Sequence, residues 1–208
     1  MKKLFLAVAL CLAAVQFAPA ATIGTTFASG NSFAGNMFDV TNVSGGPVTI
    51  LGTFRVNVSG DGPQTMDVYY RLGGYAGFES NAGDWTLLGS DTFTPMGVGV
   101  PSPIDAGNSF VIGAGETYGM YFDLSSYVSG GSQVNYTNGS DVLTDGVLQL
   151  TLGIGRGDPA FTGSIFNPRI WNGEIDYVQG AGAVPEPATW AMMGGALLGL
   201  AALRRKRA

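Results

Sequence analysis

Few residues in this 208-residue chain can do chemistry. It has no histidine, and its one cysteine, Cys11, lies in an N-terminal apolar run. Disulfides, His- or Cys-ligated zinc, Ser-His-Asp triads and Cys-His dyads are therefore excluded within the chain. Asp and Glu remain. A carboxylate pair such as Asp67 and Glu79 is the form glycoside hydrolysis would take, but no motif surrounds either residue, so no catalytic residue is assigned and no enzyme is expected. Oxygen-only calcium sites suit such a chain. Asp61 with Asp67, and Asp141 with Asp145, are loose acid clusters that match no EF-hand, so no metal ligand is assigned there either. Tyr69, Tyr70, Tyr75, Phe78 and Trp85 crowd a Gly-Gly turn. Exposed, they would stack on sugar rings, making Tyr69, Tyr70, Tyr75 and Trp85 candidate carbohydrate contacts. Buried, they would be cross-strand core pairs. Arg156-Gly157-Asp158 and Gly153-x-Gly155-x-Gly157 lack the context their motifs require.

The charge is distributed unevenly. Lys2 and Lys3 open the chain, and Arg204, Arg205, Lys206 and Arg207 close it. Between Thr22 and Ala183, four arginines face fourteen acids, leaving that stretch ten charges negative. Such a body repels phosphate backbones and anionic lipid, which excludes nucleic acid as a partner.

The two ends read as transport signals. Met1-Lys2-Lys3, the apolar run Leu4 to Val15 and the small residues Ala18 and Ala20 form a secretory signal peptide over residues 1–20, cut after Ala20. Its expected partners are the Sec translocon and signal peptidase. At the other end, Ala188 to Leu203 is apolar apart from Thr189. As a helix it would cover about 24 Å, slightly less than the ~30 Å hydrocarbon core, a gap that thinning of the bilayer or snorkelling of Arg204 to Arg207 would close. These cations act as the membrane stop on the cytoplasmic side. Just outside the span, Pro185 and Pro187 fix their own φ and hold Val184 and Glu186 extended. Gly180-Ala181-Gly182-Ala183 upstream is a flexible spacer.

Spacer, proline bracket, Trp190-led apolar span and basic stop, in that order, resemble the PEP-CTERM sorting signal (also labelled the ice-binding-protein C-terminal domain) of exported proteins in Gram-negative bacteria. The resemblance covers residues 184–208. It implies processing by exosortase, a membrane cysteine protease-transpeptidase, with Val184, Pro185, Glu186 and Pro187 as the recognition element. It further implies an inner-membrane-anchored precursor, a mature protein in the cell envelope and a host that makes exopolysaccharide; polysaccharide is the partner that Tyr69, Tyr70, Tyr75 and Trp85 would bind. It implies nothing about the body.

The body, residues 21–179, shows no helical period. Apolar alternation over Val48–Val58 puts Phe54, Val56 and Val58 on one face and Thr53, Arg55 and Asn57 on the other. Further strands are expected at Met37–Val43, Met66–Leu72, Trp85–Phe93, Phe110–Ile112, Thr117–Leu124, Gln133–Thr137, Val147–Ile154 and Ile170–Tyr177. Turns such as Gly45-Gly46-Pro47 and Gly60-Asp61-Gly62-Pro63 punctuate them. Short strands at this spacing predict an all-β fold, an antiparallel, jelly-roll-like β-sandwich, flanked by the N-terminal signal helix and a single C-terminal transmembrane helix.

Overall fold

A computed structural model describes residues 19–180. The signal helix, the spacer beyond Gly180, the proline bracket and the transmembrane helix lie outside the described residues. Among those described, no helix is long and apolar enough to cross a membrane.

The described chain is all-β. In chain order the first strands are β1 (Ala21–Gly24), β2 (Asn31–Phe33), β3 (Gly35–Asn42), β4 (Val48–Val56), β5 (Val58–Ser59) and β6 (Gln64–Leu72). Then come β7 (Thr86–Phe93), β8 (Ser102–Asp105), β9 (Phe110–Ile112), β10 (Thr117–Leu124) and β11 (Gln133–Asn138). The last are β12 (Val142–Thr144), β13 (Leu148–Arg156), β14 (Ile165–Phe166), β15 (Arg169–Trp171) and β16 (Gly173–Gln179). Every pairing is antiparallel.

The major sheet runs β12-β13-β3-β10-β6-β7, with β14 on β13. A second sheet runs β1-β16-β4-β8, with β9 on β4. A small third sheet runs β15-β11-β2, with β5 on β11. Most neighbours are distant in sequence: β3 lies between β13 and β10, and β16 between β1 and β4. The two larger sheets share one apolar core. Phe38, Val40, Met120, Phe122, Leu148 and Leu150 come from the major sheet, and Val48, Ile50, Phe54, Val56 and Ile175 from the second. Phe54 meets Phe122 edge-on across the gap, with centroids 5.0 Å apart. Burial of these side chains supplies most of the stabilisation, at roughly 25 cal/mol per Å² of apolar surface.

Periodicity and burial agree best on β4, whose residues alternate strictly between buried and half-buried. The expected strand Val48–Val58 nevertheless breaks at Asn57, so β5 leaves for the third sheet. Asn57 is buried, contrary to its expected outward position. Its Nδ2 donates to the Phe27 carbonyl at 3.0 Å, and its Oδ1 accepts from the Gly99 N–H at 2.9 Å. A buried amide with both ends bonded fixes a chain crossing that alternation does not encode.

Ile170–Tyr177 likewise splits in two. β15 pairs with β11, β16 pairs with β4, and buried Asn172 marks the break. Its Nδ2 donates to the carbonyls of Thr26 and Ala28, and its Oδ1 accepts from Thr137 Oγ1 at 3.2 Å. Trp171, just before it, is fully buried and stacks on Phe38 at 4.6 Å and on Phe122 at 4.8 Å. That indole joins the third sheet to the main core. Trp171→Ala is expected to lower unfolding free energy by about 3–5 kcal/mol, read as a shift of the urea midpoint at unchanged slope.

Candidate functional site

Two sheet faces look outward, and they differ in what covers them. On the major sheet, antiparallel register aligns Tyr69, Tyr121, Met37 and Ile154 in one row across β6, β10, β3 and β13. The next row on that face is Asp67, Asp123, Gly35 and Arg156.

Two segments roof this face. Gly119 lacks a side chain where the first of them crosses. A Cβ there would lie 2.8 Å from the Tyr75 nitrogen and 2.9 Å from the Gly74 carbonyl carbon, so only glycine admits the segment between β6 and β7. The Tyr75 N–H then donates to Asp39 Oδ1 at 2.8 Å. Arg71 donates to the Gly74 carbonyl and lies 3.5 Å from the Phe78 ring centroid, a cation–π contact. From the β13–β14 connection, Phe161 closes the other side at a positive φ of 61°. Its ring packs edge-on against Tyr69 and Tyr121, both at 5.1 Å. The result is a small second core of Met37, Trp85, Tyr121, Ile154 and Phe161, with Tyr69 and Tyr75 half-buried against it.

The aromatic candidates therefore divide. Trp85 is 8% exposed, and its indole N–H donates to the Phe78 carbonyl at 2.9 Å. Tyr70 points to the opposite side, stacked on Phe110 at 4.4 Å. Tyr69 and Tyr75 stay on the roofed face, half-buried. The structure brings Tyr69, Tyr75 and Trp85 together and separates Tyr70 from them.

Charge beneath the roof went unrecognised in the sequence. Asp123 is 4% exposed and accepts a hydrogen bond from the Tyr121 hydroxyl at 2.5 Å. Burial pushes its carboxyl up to about 6, with Asp67 and Asp158 adding to the rise and the Tyr121 hydrogen bond and Arg156 opposing it. The Tyr121 hydroxyl is itself raised, by burial first and then by Asp123. Arg156 is fully buried, and no acceptor among the described residues bonds its guanidinium. The Arg-Gly-Asp tripeptide is thus not presented to solvent. Register could have found this row, since Asp67, Asp123 and Arg156 occupy matching positions on neighbouring strands.

The acid pairs serve turns. Asp141 Oδ1 accepts from the Val142 N–H at 2.8 Å. Asp145 Oδ1 takes the N–H groups of Val147 and Leu148, and its Oδ2 takes the Tyr177 hydroxyl at 2.6 Å. Asp67 lies opposite Asp123 and accepts from Ser90 Oγ, whereas Asp61 is exposed in the preceding turn. Among the described residues, no three carboxylates are grouped to hold a metal ion.

The second sheet's outer face is open. Arg55 Nη1 donates to Glu174 Oε2 at 3.1 Å and to Asp176 Oδ1 at 3.0 Å. Asp176 also accepts from Thr22 Oγ1 at 2.6 Å and from Thr53 Oγ1 at 3.1 Å. Burial alone would raise Asp176, but these hydrogen bonds from Thr22, Arg55 and Thr53 hold it below the usual carboxylate range.

The body begins and ends on this sheet. β1 begins at Ala21, opposite Tyr177 of β16. β16 ends beside Val48, and the Gly180 N–H donates to the Pro47 carbonyl at 2.9 Å. Three residues further on, residues 183–206 match the PEP-CTERM protein-sorting motif. The chain carries a PEP-CTERM sorting signal. This motif marks an exported, membrane-passing precursor with exosortase as its processing partner. No curated protein matches the chain.

The buried carboxyl makes stability depend on pH. Unfolded, Asp123 titrates near its ordinary 3.8, and folded near 6. Between those values the folded chain keeps a proton that the unfolded chain has lost, so this group makes stability fall as pH rises through the interval. Asp123→Asn is expected to flatten that slope and to raise stability at pH 7.5 by roughly 2–3 kcal/mol, with little change at pH 3.5. Urea titrations at the two pH values check this.

Proposed function

We propose that this protein is a non-enzymatic structural component of the Gram-negative cell envelope or its exopolysaccharide matrix, delivered there by its two terminal signals. In this account Sec exports it, signal peptidase removes residues 1–20, and the span at about 188–203 holds the precursor in the inner membrane. Arg204 to Arg207 keep the last turn on the cytoplasmic side. Exosortase then recognises Val184 to Pro187.

One observation carries the proposal: the sorting motif begins three residues after Gly180, at the end of β16, beside the first residue of β1. The start of β1 and the end of β16 therefore lie at the same end of the sandwich. Asp145 and Asp176 are committed to structural hydrogen bonds.

Pro185→Ala with Pro187→Ala removes the extended bracket and leaves the body untouched. In the native host the double variant is expected to accumulate as tail-bearing precursor in the membrane fraction, with an unchanged melting temperature for the domain. Normal maturation of the variant would refute the assigned recognition element.

A further inference from the structure

The open outer face of the second sheet carries a cleft of about 380 Å³. It crosses the second sheet between β8 and β16, lined by Thr53, Arg55, Asp91, Pro103, Asp105 and Asp176. We propose that this cleft binds a neutral sugar segment of a polysaccharide.

Access comes first. The strict alternation of β4 leaves Thr53 and Arg55 at the surface, with the Arg55 side chain 37% exposed. By contrast, the final residues of β13 and β10 are buried on both faces of the major sheet. The volume lies within the ~300–1,000 Å³ range typical of small-ligand sites.

Preorganisation comes next. Asp176 is held by three donors from two strands, Thr22 of β1 and Thr53 and Arg55 of β4, and Arg55 is held by two carboxylates. These side chains lose little rotamer freedom when a ligand arrives. Asp91 uses Oδ2 to accept the Asp105 N–H at 2.9 Å, and Asp105 uses Oδ1 to accept the Gly107 N–H at 2.8 Å. Each keeps its second oxygen without a protein donor among the described residues. The cleft thus offers carboxylate acceptors at separate points beside a fixed guanidinium donor.

Charge then selects the ligand class. Three carboxylates outnumber one guanidinium in the lining, so uronates, sulfated sugars and phosphates are repelled. A divalent cation would need oxygens converging on one point, and no three carboxylates are grouped in that way among the described residues. A ligand donating several hydroxyls along its length fits what remains, with the exposed Pro103 ring as an apolar contact. The inference deepens the matrix reading and rests on it only for where the ligand is met. Binding by the purified chain is independent of tail processing, so either can fail alone.

The test uses the full chain in a sugar-free detergent. Affinity electrophoresis is run through gels containing neutral glucans, mannans and galactans, with polygalacturonate as the anionic comparison. Retardation by at least one neutral polymer and none by polygalacturonate is expected. Asp91→Asn with Asp105→Asn keeps the oxygen that accepts each backbone N–H and replaces the other; it should weaken that retardation at least tenfold without lowering the melting temperature. In the unsubstituted chain, the corresponding oligosaccharide should shift the amide resonances of Thr53 and Asp105 and leave Tyr75 and Trp85 in place. No retardation by any neutral polymer, retardation by polygalacturonate alone, unchanged binding in a folded double variant, or shifts confined to Tyr75 and Trp85 would each overturn the proposal.

Discussion

Two-sided burial in the middle of the major sheet is the constraint on which the rest of the molecule depends. Phe38 and Val40 of β3, with Met120 and Phe122 of β10, face the shared core, while Met37 and Tyr121 of the same strands face the second core under the roof. With no disulfide available and only four arginines in the body, ionic and covalent cross-links contribute little. Cohesion therefore comes from close-packed apolar and aromatic side chains. The roof follows from this. Once Met37, Tyr121 and Ile154 point outward, something apolar must cover them, and Trp85 and Phe161 do so.

The same constraint divides the labour between the sheets. The roofed face spends its aromatics on packing and encloses Asp123 and Arg156, so its chemistry is directed inward. The second sheet buries one face only, and its outer face holds an ordered set of hydroxyls, carboxylates and one guanidinium in contact with water. Its edge strand β1 and neighbour β16 also carry the two chain ends.

Much of this was legible in the sequence, and the exceptions have physical causes. β4 was readable because one of its faces is wet, giving strict alternation. β3, β6, β10 and β13 were readable from β-branched, aromatic and apolar runs between glycine turns. The breaks at Asn57 and Asn172 were not, because the partners that fix them, Phe27, Gly99, Thr26 and Thr137, lie far away in sequence. β8 was hidden by its Pro103, which an edge strand tolerates. Tyr69 and Tyr70, as strand neighbours, had to point to opposite faces. The aromatic candidates could have been divided on that ground, whereas the roof over them depends on the spatial approach at Gly119. The tail was the most readable part, because its meaning is carried by the local order of Val184 to Arg207 and needs no tertiary contact.

The central claim is that the sandwich is the cargo and both termini are discarded addresses. Terminal-peptide mass mapping of the protein recovered from outside the inner membrane tests it most directly. The account predicts a chain that starts at Ala21 and ends before Ala188, with the whole body intact. Material in that fraction that still carries Ala188 to Ala208 would contradict it.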